Sequence, residues 1–274
     1  MLIHGNCLDA LASLPDSSVD LVLADPPYGT TQCKWDSIIP LEPLWDQLKR
    51  VIKPRGAIVM MAAEPFTSIL VTSNLKMFKY DIVWEKGNAT GFLNAKKMPL
   101  RAHEKAVVFG SSDDDTRTHE DMLVFYNKLP AFEPQMTHGH ARKTASRKTV
   151  NSECYGKAIT VTQYDSTSRY PRSVQFFSSD KQKENLHPTQ KPVALMEWLI
   201  NSYCPPNGVV LDFCMGSGST GVAALNTNRR FIGTELDESH YNTAYERINK
   251  VMKERYDHLS ICPGIHQQTS CARR

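Results

Sequence analysis

The feature that most constrains the fold is an apolar run, Val19–Ala24, followed at once by an acid and two prolines. β-Branched and aliphatic residues fill the run and turn-forming residues bound it, so it predicts a buried parallel strand. The tetrapeptide that follows consists of Asp25, Pro26, Pro27 and Tyr28. Each proline fixes its own φ angle and lacks an N–H donor, so the chain leaves the strand as a stiff segment. A carboxylate and an aromatic ring are thus expected at the carboxyl end of a strand, where open α/β sheets bind ligands.

This tetrapeptide suits recognition of a flat heterocycle that carries an amino group. Asp25 and the Pro26 carbonyl can accept the two amino hydrogens while Tyr28 stacks on the ring. A strand-to-loop corner in which Asp25 caps a helix explains the same residues, because short motifs have a real false-positive rate. A second motif is needed to separate the two interpretations.

That second motif lies far downstream, at 209–221, and reads as strand, glycine-rich turn and helix. The strand ends at Asp212, and the next strand, 231–235, ends in an acid 23 residues after Asp212. Glycines let the backbone approach a ligand closely, and an acid at this spacing can bind ribose hydroxyls. No Gly-Lys-Ser/Thr follows, so a P-loop is excluded.

The glycine turn fits two nucleoside cofactors. Gly216, Gly218 and Gly221 meet the G-x-G-x-x-G spacing of a dinucleotide fingerprint, which is a weak signal when it stands alone. The charge of Asp212 would disfavour a nearby pyrophosphate and would favour a cationic sulfonium. We therefore expect S-adenosyl-L-methionine rather than NAD.

Each part of that cofactor has a candidate partner. Glu235 would hold the ribose, the backbone of 216–218 the methionine moiety, and Thr189 or Lys191 the carboxylate. Asp9, close to the end of the first short strand, could also face the ligand, although a carboxylate in the first turn of a helix is equally well explained by the helix dipole.

Strand patterns alternate with helical patterns along most of the chain, which predicts an α/β fold with a doubly wound, mostly parallel sheet. The strands at 80–84 and 105–109 are separated by a segment without a convincing helix, so they are expected to pair antiparallel. Glu238 to Met252 is amphipathic and predicts the last helix, followed by a polar tail that we expect to be mobile.

Composition excludes several classes of protein. The chain has 274 residues, of which 41% are hydrophobic and 22% charged, as in an ordinary globular protein. No apolar stretch approaches the ~20 residues that span a bilayer, and no secretory signal is visible, so we expect a cytoplasmic protein without a membrane partner. Seven scattered cysteines without a CxxC pair indicate reduced thiols and predict no metal site.

From Ser111 the sequence becomes polar and loses its periodicity. Residues 136–183 contain nine basic and three acidic residues, a net charge of +6 against +3 for the whole chain. A localised basic surface suggests a polyanionic partner, although a solvated loop remains an alternative. His138 and His140 read as surface-loop residues rather than metal ligands. The candidate contacts to such a polyanion are Arg142, Lys143, Arg147, Lys148, Arg169 and Arg172.

Taken together, these motifs resemble the amino-methylating DNA methyltransferases of the permuted (beta) group, in which the catalytic motif precedes the cofactor motif. The resemblance covers nearly the whole chain. It implies that residues 6–9 lie beside the adenine of the cofactor and that the segment 187–192 lies near the methionine carboxylate. The segments 101–104 and 170–173 also resemble patterns of the family. The cofactor-binding residues that it implies, together with those argued above, are Cys7, Asp9, Asp25, Thr189, Lys191, Asp212, Phe213, Cys214, Gly216, Gly218, Ser219, Thr220, Glu235 and Leu236.

The resemblance implies a seven-stranded Rossmann-like methyltransferase sheet in which 1–110 carry the catalytic motif and 186–256 bind the cofactor. A target-recognition insert would occupy 111–185 and a polar tail 257–274. The expected substrate is double-stranded DNA, and a homodimer is left open.

The expected reaction is direct methyl transfer to the exocyclic amine of adenine, flipped out of the duplex. The amino group of cytosine is the nearest alternative. RNA or a protein amide as substrate, and a catalytically silent DNA-binding protein, are more distant alternatives.

Overall fold

The computed structural model describes residues 1–31, 36–90, 101–110, 132–147, 151–152, 156–157, 162–178 and 190–260. The strands are β1 (Leu2–His4), β2 (Val19–Ala24), β3 (Ile52–Ala62), β4 (Phe78–Thr90), β5 (Arg101–Gly110), β6 (Lys143–Arg147), β7 (Asn151–Ser152), β8 (Gly156–Lys157), β9 (Thr162–Ser166), β10 (Val174–Phe177), β11 (Val209–Asp212) and β12 (Arg230–Glu235). The helices are α1 (Cys7–Ala12), α2 (Leu41–Val51), α3 (Phe66–Ser73), α4 (Val193–Tyr203), α5 (Ser219–Asn226) and α6 (Glu238–Ser260).

The main sheet has the strand order β1-β12-β11-β2-β3-β5-β4-β10. Within it β5 runs antiparallel to both of its neighbours, and the other described pairs are parallel. The doubly wound, mostly parallel sheet and the antiparallel pairing of β4 with β5 are therefore confirmed. The chain moves outward in opposite directions from β2 and from β11, which are hydrogen-bonded neighbours. This reversal is the switch point at which open α/β sheets form a ligand crevice.

The described sheet has eight strands rather than the expected seven. The additional strand is β10, which pairs parallel with the outer side of β4. It lies within the range assigned to the recognition insert, so part of that range belongs to the main sheet. The sequence offered little sign of it, because Val174 and Phe176 are exposed and the alternation is weak.

Two apolar cores cover the two faces of the sheet. Leu21 and Leu23 of β2 point into the core shared with α4, α5 and α6, whereas Val22 and Ala24 point into the core shared with α1, α2 and α3. Successive side chains of a strand alternate between faces, so a strand covered on both sides must be apolar throughout. The continuous run that predicted β2 is explained by this double burial.

The helix ends also follow from the sequence. Asn6 caps α1 by accepting a hydrogen bond from the Leu8 N–H at 2.8 Å. The last helix extends eight residues beyond the predicted end at Met252, as far as Ser260. Residues 257–260, expected to begin a polar tail, are thus helical, and the rest of that tail lies outside the described residues. Among the described residues, none of the helices combines the length and apolar character that crossing a membrane requires.

The described part of the predicted insert includes two small antiparallel ribbons, β6 with β9 and β7 with β8. The guanidinium of Arg142 and the Asp165 carboxylate form an exposed ion pair at 2.6 Å across the first ribbon. Arg169 donates to the backbone carbonyls of Ser166, Ser168 and Ala141. Both arginines therefore have structural partners within the ribbon.

Candidate active site

Three carboxylates lie at the carboxyl ends of adjacent parallel strands. Asp25 follows β2, Asp212 ends β11 and Glu235 ends β12. They are close enough that the charges of Asp25 and Glu235 both raise the pKa of Asp212. The fold thus brings the proline motif and the glycine turn, separated by almost 190 residues in the sequence, to one edge of the sheet on either side of the switch point.

Both oxygens of the Asp25 carboxylate are engaged. The Tyr28 hydroxyl donates to Oδ1 at 2.7 Å, and the Lys191 ammonium lies 2.5 Å from Oδ2. The Tyr28 ring stacks on Phe66, with centroids 5.3 Å apart and planes inclined by 18°. Burial, with the nearby Asp25 charge, keeps the pKa of Tyr28 well above its usual value, so the hydroxyl remains a donor. The side chains of Asp25 and Tyr28 therefore orient each other.

The loop after Tyr28 is held by a single carboxylate that the sequence did not identify. Asp36 accepts hydrogen bonds from the backbone N–H groups of Tyr28 and Gly29 on Oδ1, at 2.8 and 2.9 Å. Its Oδ2 accepts those of Thr30 and Thr31, at 2.9 and 2.7 Å. Burial raises the pKa of Asp36, but these hydrogen bonds outweigh burial and hold the pKa below its usual value. An anion satisfying consecutive amides fixes the backbone path at the site.

Lys191 does not stand alone at Asp25. Its ammonium also lies 3.4 Å from Oε2 of Glu104, whose other oxygen is paired with the Lys86 ammonium. Burial lowers the pKa of Lys191, but the two carboxylates outweigh burial and the pKa is raised. Lys191 is one of the two residues, with Thr189, that the sequence predicts at the cofactor carboxylate, and in the structure its ammonium contacts the acid of the proline motif.

The glycine turn is bound to the acid expected to hold the ribose. The Gly216 N–H donates to Oε2 of Glu235 at 2.9 Å, and the Asp237 N–H donates to Oε1 at 3.0 Å. Gly216 has φ of 49°, and a Cβ built on it would meet no atom within 4 Å. The space beside this turn is open, as close approach of a ligand requires.

Asp212 lies beneath the turn, only 2% exposed, and accepts a hydrogen bond from the Cys214 N–H at 3.1 Å. Burial raises its pKa to about 7, against the opposing effect of the hydrogen bond from Thr220. Asp212 is therefore only partly charged at neutral pH and repels a pyrophosphate less than its sequence position indicated. The preference for a sulfonium therefore depends mainly on Asp25 and Glu235.

The other candidate residues vary in position. Cys7 and the exposed Asp9 are in the first turn of α1, next to β1 and therefore near Glu235, with which His4 is in register. Burial raises the pKa of the Cys7 thiol. Leu236 is 70% exposed at the rim of the site.

Buried candidates underlie the turn: Phe213, Ser219 and Thr220 are all buried, and burial also raises the pKa of Cys214. Thr189 and Lys148 lie outside the described residues, as do His187 and Pro188, and the side chain of Arg147 is not described. Lys143 and Arg172 are exposed. Within the described ranges, no group of three or more His, Cys, Asp or Glu side chains could hold a metal ion.

Comparison with known proteins relates this geometry to a family. Residues 19–246 match the family model described as DNA methylase, covering both N6 and N4 methyltransferases. The Type II methyltransferase M1.MboII of Moraxella bovis is 26% identical over 265 residues, which are 90% of this chain and 95% of that protein. The Type II methyltransferase M.BglII of Bacillus subtilis is 28% identical over 270 residues, 90% of this chain and 68% of that protein.

Solved structures share the fold. The complex of M1.HpyAVI with S-adenosyl-L-methionine superposes with a TM-score of 0.57 at 24% identity, covering 91% of this chain and 98% of that one. The PvuII DNA methyltransferase, which is cytosine-N4-specific, gives a TM-score of 0.61 at 14% identity, over 93% and 92% of the two chains. The methyl donor of the N6/N4 DNA methylases is S-adenosyl-L-methionine. The family match spans well over half of the length of this chain, so the chain belongs to the N6/N4 DNA methylase family.

Proposed function

We propose that this DNA methyltransferase acts on the exocyclic amino group of adenine in duplex DNA. The observation that carries the proposal is the position of Asp25, oriented by Tyr28 and Lys191 at the end of β2, directly beside the strand that carries the glycine turn. The target amine and the methyl donor can therefore meet at one edge of the sheet.

The glycine turn fits the cofactor on two counts. The space beside Gly216 is open, and the carboxylates of Asp25 and Glu235, with the partly charged Asp212, complement a sulfonium cation. Glu235 would hold the ribose hydroxyls, since carboxylate oxygens already bonded to one N–H retain further acceptor capacity. S-Adenosyl-L-methionine, when bound, supplies the methyl group on its sulfonium and leaves as a neutral thioether.

Asp25 increases the nucleophilicity of the exocyclic amino nitrogen of the target base. The lone pair of an exocyclic amine is delocalised into its ring, so the nitrogen is a poor nucleophile. Asp25 and the Pro26 carbonyl accept the two amino hydrogens, which favours tetrahedral nitrogen and exposes the lone pair for in-line attack. The Asp25 charge also stabilises the positive charge that develops on nitrogen, and one amino proton leaves through Asp25. Positioning of the two reactants supplies the larger part of the acceleration, without a covalent enzyme intermediate.

The base must leave the duplex to reach Asp25, because the amine is inaccessible in a stacked helix. Tyr28 replaces part of the lost stacking, and its ring is held in place by Phe66 behind it. The basic segment at 136–183, with Lys143 and Arg172 exposed, would contact the phosphate backbone.

The test is the chemical identity of the modified base. Purified protein is incubated with unmethylated plasmid and deuterium-labelled S-adenosyl-L-methionine, and the nucleosides are separated by mass spectrometry after digestion. The proposal predicts labelled N6-methyladenine. Labelled N4-methylcytosine in its place would contradict the choice of adenine, and absence of label from the DNA would contradict DNA as the substrate. A duplex with 2-aminopurine at the mapped target position should gain fluorescence on binding, whereas unchanged fluorescence would contradict base flipping.

A further inference from the structure

Four charged side chains form a continuous row that ends at Asp25. The Lys86 ammonium pairs with Oε1 of Glu104, and Oε2 of Glu104 lies 3.4 Å from the Lys191 ammonium. Lys191 is in turn 2.5 Å from Oδ2 of Asp25. We call Lys86, Glu104, Lys191 and Asp25 the charge row. Its signs alternate and its net charge is zero.

The row is largely removed from solvent, and its most exposed member is at the catalytic end. The side chains of Lys86, Glu104 and Lys191 are 11%, 16% and 8% exposed, and that of Asp25 is 26% exposed. Charges removed from water interact strongly, and each needs a partner because an uncompensated buried charge is strongly destabilising. Part of the positive charge of Lys191 is therefore balanced by Glu104. The position of the Lys191 ammonium relative to Asp25 depends on the carboxylates of both Asp25 and Glu104.

The position of Glu104 indicates what it is for. Its Oε2 is buried and, among the described residues, accepts no hydrogen bond. Within that part of the chain, Oε2 interacts with the Lys191 ammonium as an ion pair at 3.4 Å. A buried carboxylate oxygen without a hydrogen bond lowers the stability of the fold, whereas an apolar side chain in its place would not carry this cost. Stability of the fold alone would not favour such a residue in the middle of β5, whereas holding a cation beside the reacting groups would.

We infer that Glu104 is a positioning residue for methyl transfer, which holds the Lys191 ammonium against Asp25 and is itself held from behind by Lys86. The inference rests on the proposed role of Asp25. With Lys191 on one oxygen and Tyr28 on the other, the Asp25 carboxylate is held in one orientation before the target amine arrives. Asp25 is thus positioned by residues from three segments of the chain. Lys86 is in β4, Glu104 is in β5 and Lys191 lies two residues before α4.

The variant that isolates this role is Glu104→Gln, which keeps the shape of the side chain and removes its charge. We expect the single-turnover rate of methyl transfer, at saturating cofactor and DNA, to fall by about 10- to 100-fold, as when a catalytic group is slightly misplaced. Dissociation constants for cofactor and DNA should remain close to wild type, because Glu104 contacts Lys86 and Lys191 and is not among the residues proposed to bind cofactor or DNA. Lys86→Met should reduce the rate in the same direction by a smaller factor, and Glu104→Asp should recover part of the loss.

Asp81→Asn is the matched control. Asp81 pairs with Lys105 at 3.0 Å on the same two strands, and the alternation of side chains along β4 and β5 puts that ion pair on the opposite face. The same carboxyl-to-amide change there should leave the rate of methyl transfer unchanged. The folded fraction of each variant is measured by thermal unfolding.

The outcomes separate the inference from the proposed function. A wild-type single-turnover rate in Glu104→Gln, or an equal loss of rate in Asp81→Asn, would overturn the inference, as would a loss that only follows the folded fraction. If Asp25→Ala retained methyl transfer, the role proposed for Asp25 would be wrong, whereas absence of labelled N6-methyladenine with the wild-type protein would contradict the proposed function. If Asp25→Ala is inactive and Glu104→Gln is fully active, only the role of Glu104 fails.

Discussion

The backbone N–H of Tyr28 donates to Oδ1 of Asp36 at 2.8 Å, so the last residue of the proline motif is fixed by a carboxylate eight residues along the chain. Three further N–H groups in succession bind the same carboxylate. The prolines restrict the backbone before Tyr28, and the Asp36 carboxylate restricts it from Tyr28 onward. We call this set of four hydrogen bonds to Asp36 the clamp. These contacts define the backbone path at the end of β2.

This clamp gives the first prediction. Asp36→Asn replaces one acceptor oxygen by an amide nitrogen, which leaves two of the N–H groups without a partner. We expect the free energy of unfolding to fall by about 1–3 kcal/mol and the rate of methyl transfer to fall further than the folded fraction does. Chemical denaturation and single-turnover kinetics measure the two effects. The control is Asp16→Asn, which breaks the surface pair with Arg50 where Asp16 is 76% exposed, and should change neither. An unchanged rate in Asp36→Asn would contradict the clamp.

A second prediction separates packing from ligand binding in the glycine motif. A Cβ on Gly221 would lie 2.4 Å from Cδ1 of Ile248 and 2.8 Å from Cε1 of Phe231, so the third glycine is required by the contact between α5, α6 and β12. Gly221→Ala should destabilise the fold by about 1–3 kcal/mol, the usual effect of overpacking. Cofactor affinity of the folded protein should not change. Glu246→Ala on the exposed surface of α6 is the control, and a large loss of affinity without loss of stability in Gly221→Ala would contradict this assignment.

The third prediction concerns pH. Burial raises the pKa of Asp212 in the folded protein from the usual 3.8 to about 7. Between these two values the folded protein keeps a proton that the unfolded chain has lost, so the free energy of unfolding falls as the pH rises. Above about pH 7 the contribution of this group becomes constant.

Asp212→Asn removes this titration and provides the measurement. Urea denaturation of both proteins from pH 4 to pH 8 gives the difference in unfolding free energy, wild type minus variant. That difference should decrease as the pH rises to about 7 and then level off. A difference independent of pH, or one that grows with pH, would contradict a raised pKa at Asp212.

The fourth prediction concerns Glu235. Glu235→Gln replaces one carboxylate oxygen by a donor, so the residue can no longer accept hydrogen bonds from both the backbone and both ribose hydroxyls. We expect cofactor affinity to fall roughly tenfold or more, since hydrogen bonds to charged groups contribute about 1.5–3 kcal/mol. Asp237→Asn is the control, because the Asp237 carboxylate accepts the Ser239 and His240 N–H groups at the start of α6 and should influence stability instead. Equal affinities in equilibrium cofactor titrations of wild type and Glu235→Gln would rule out this role.

The sequence predicted those parts of the fold that depend on local pattern. The apolar strand β2, the turn at Gly216 and the acid at the end of β12 are each visible in a short stretch of sequence, and parallel strands bring their carboxyl ends to one edge. Their convergence could therefore be expected without coordinates. The edge strand β10 could not, because an exposed strand of four residues leaves little periodic signal.

The partners of charged side chains were the least predictable part. Lys191 lies within a segment that resembles a cofactor-binding motif, yet its ammonium reaches Asp25, 166 residues away in sequence. A long flexible side chain can reach several acids, and only tertiary packing decides which one it contacts. Asp36 is similar, since a carboxylate in a loop without periodicity gives no indication of the amides that it will accept.

The most direct measurement of the central claim compares methyl transfer with cofactor binding in Asp25→Ala. The claim is that Asp25 acts on the target amine while the glycine turn and Glu235 bind the donor, as two halves of one site. The account predicts a loss of methyl transfer of about 10³-fold or more, with the dissociation constant for S-adenosyl-L-methionine close to that of wild type in the same preparation. Methyl transfer at the wild-type rate, or a loss of cofactor binding as large as the loss of activity, would contradict it.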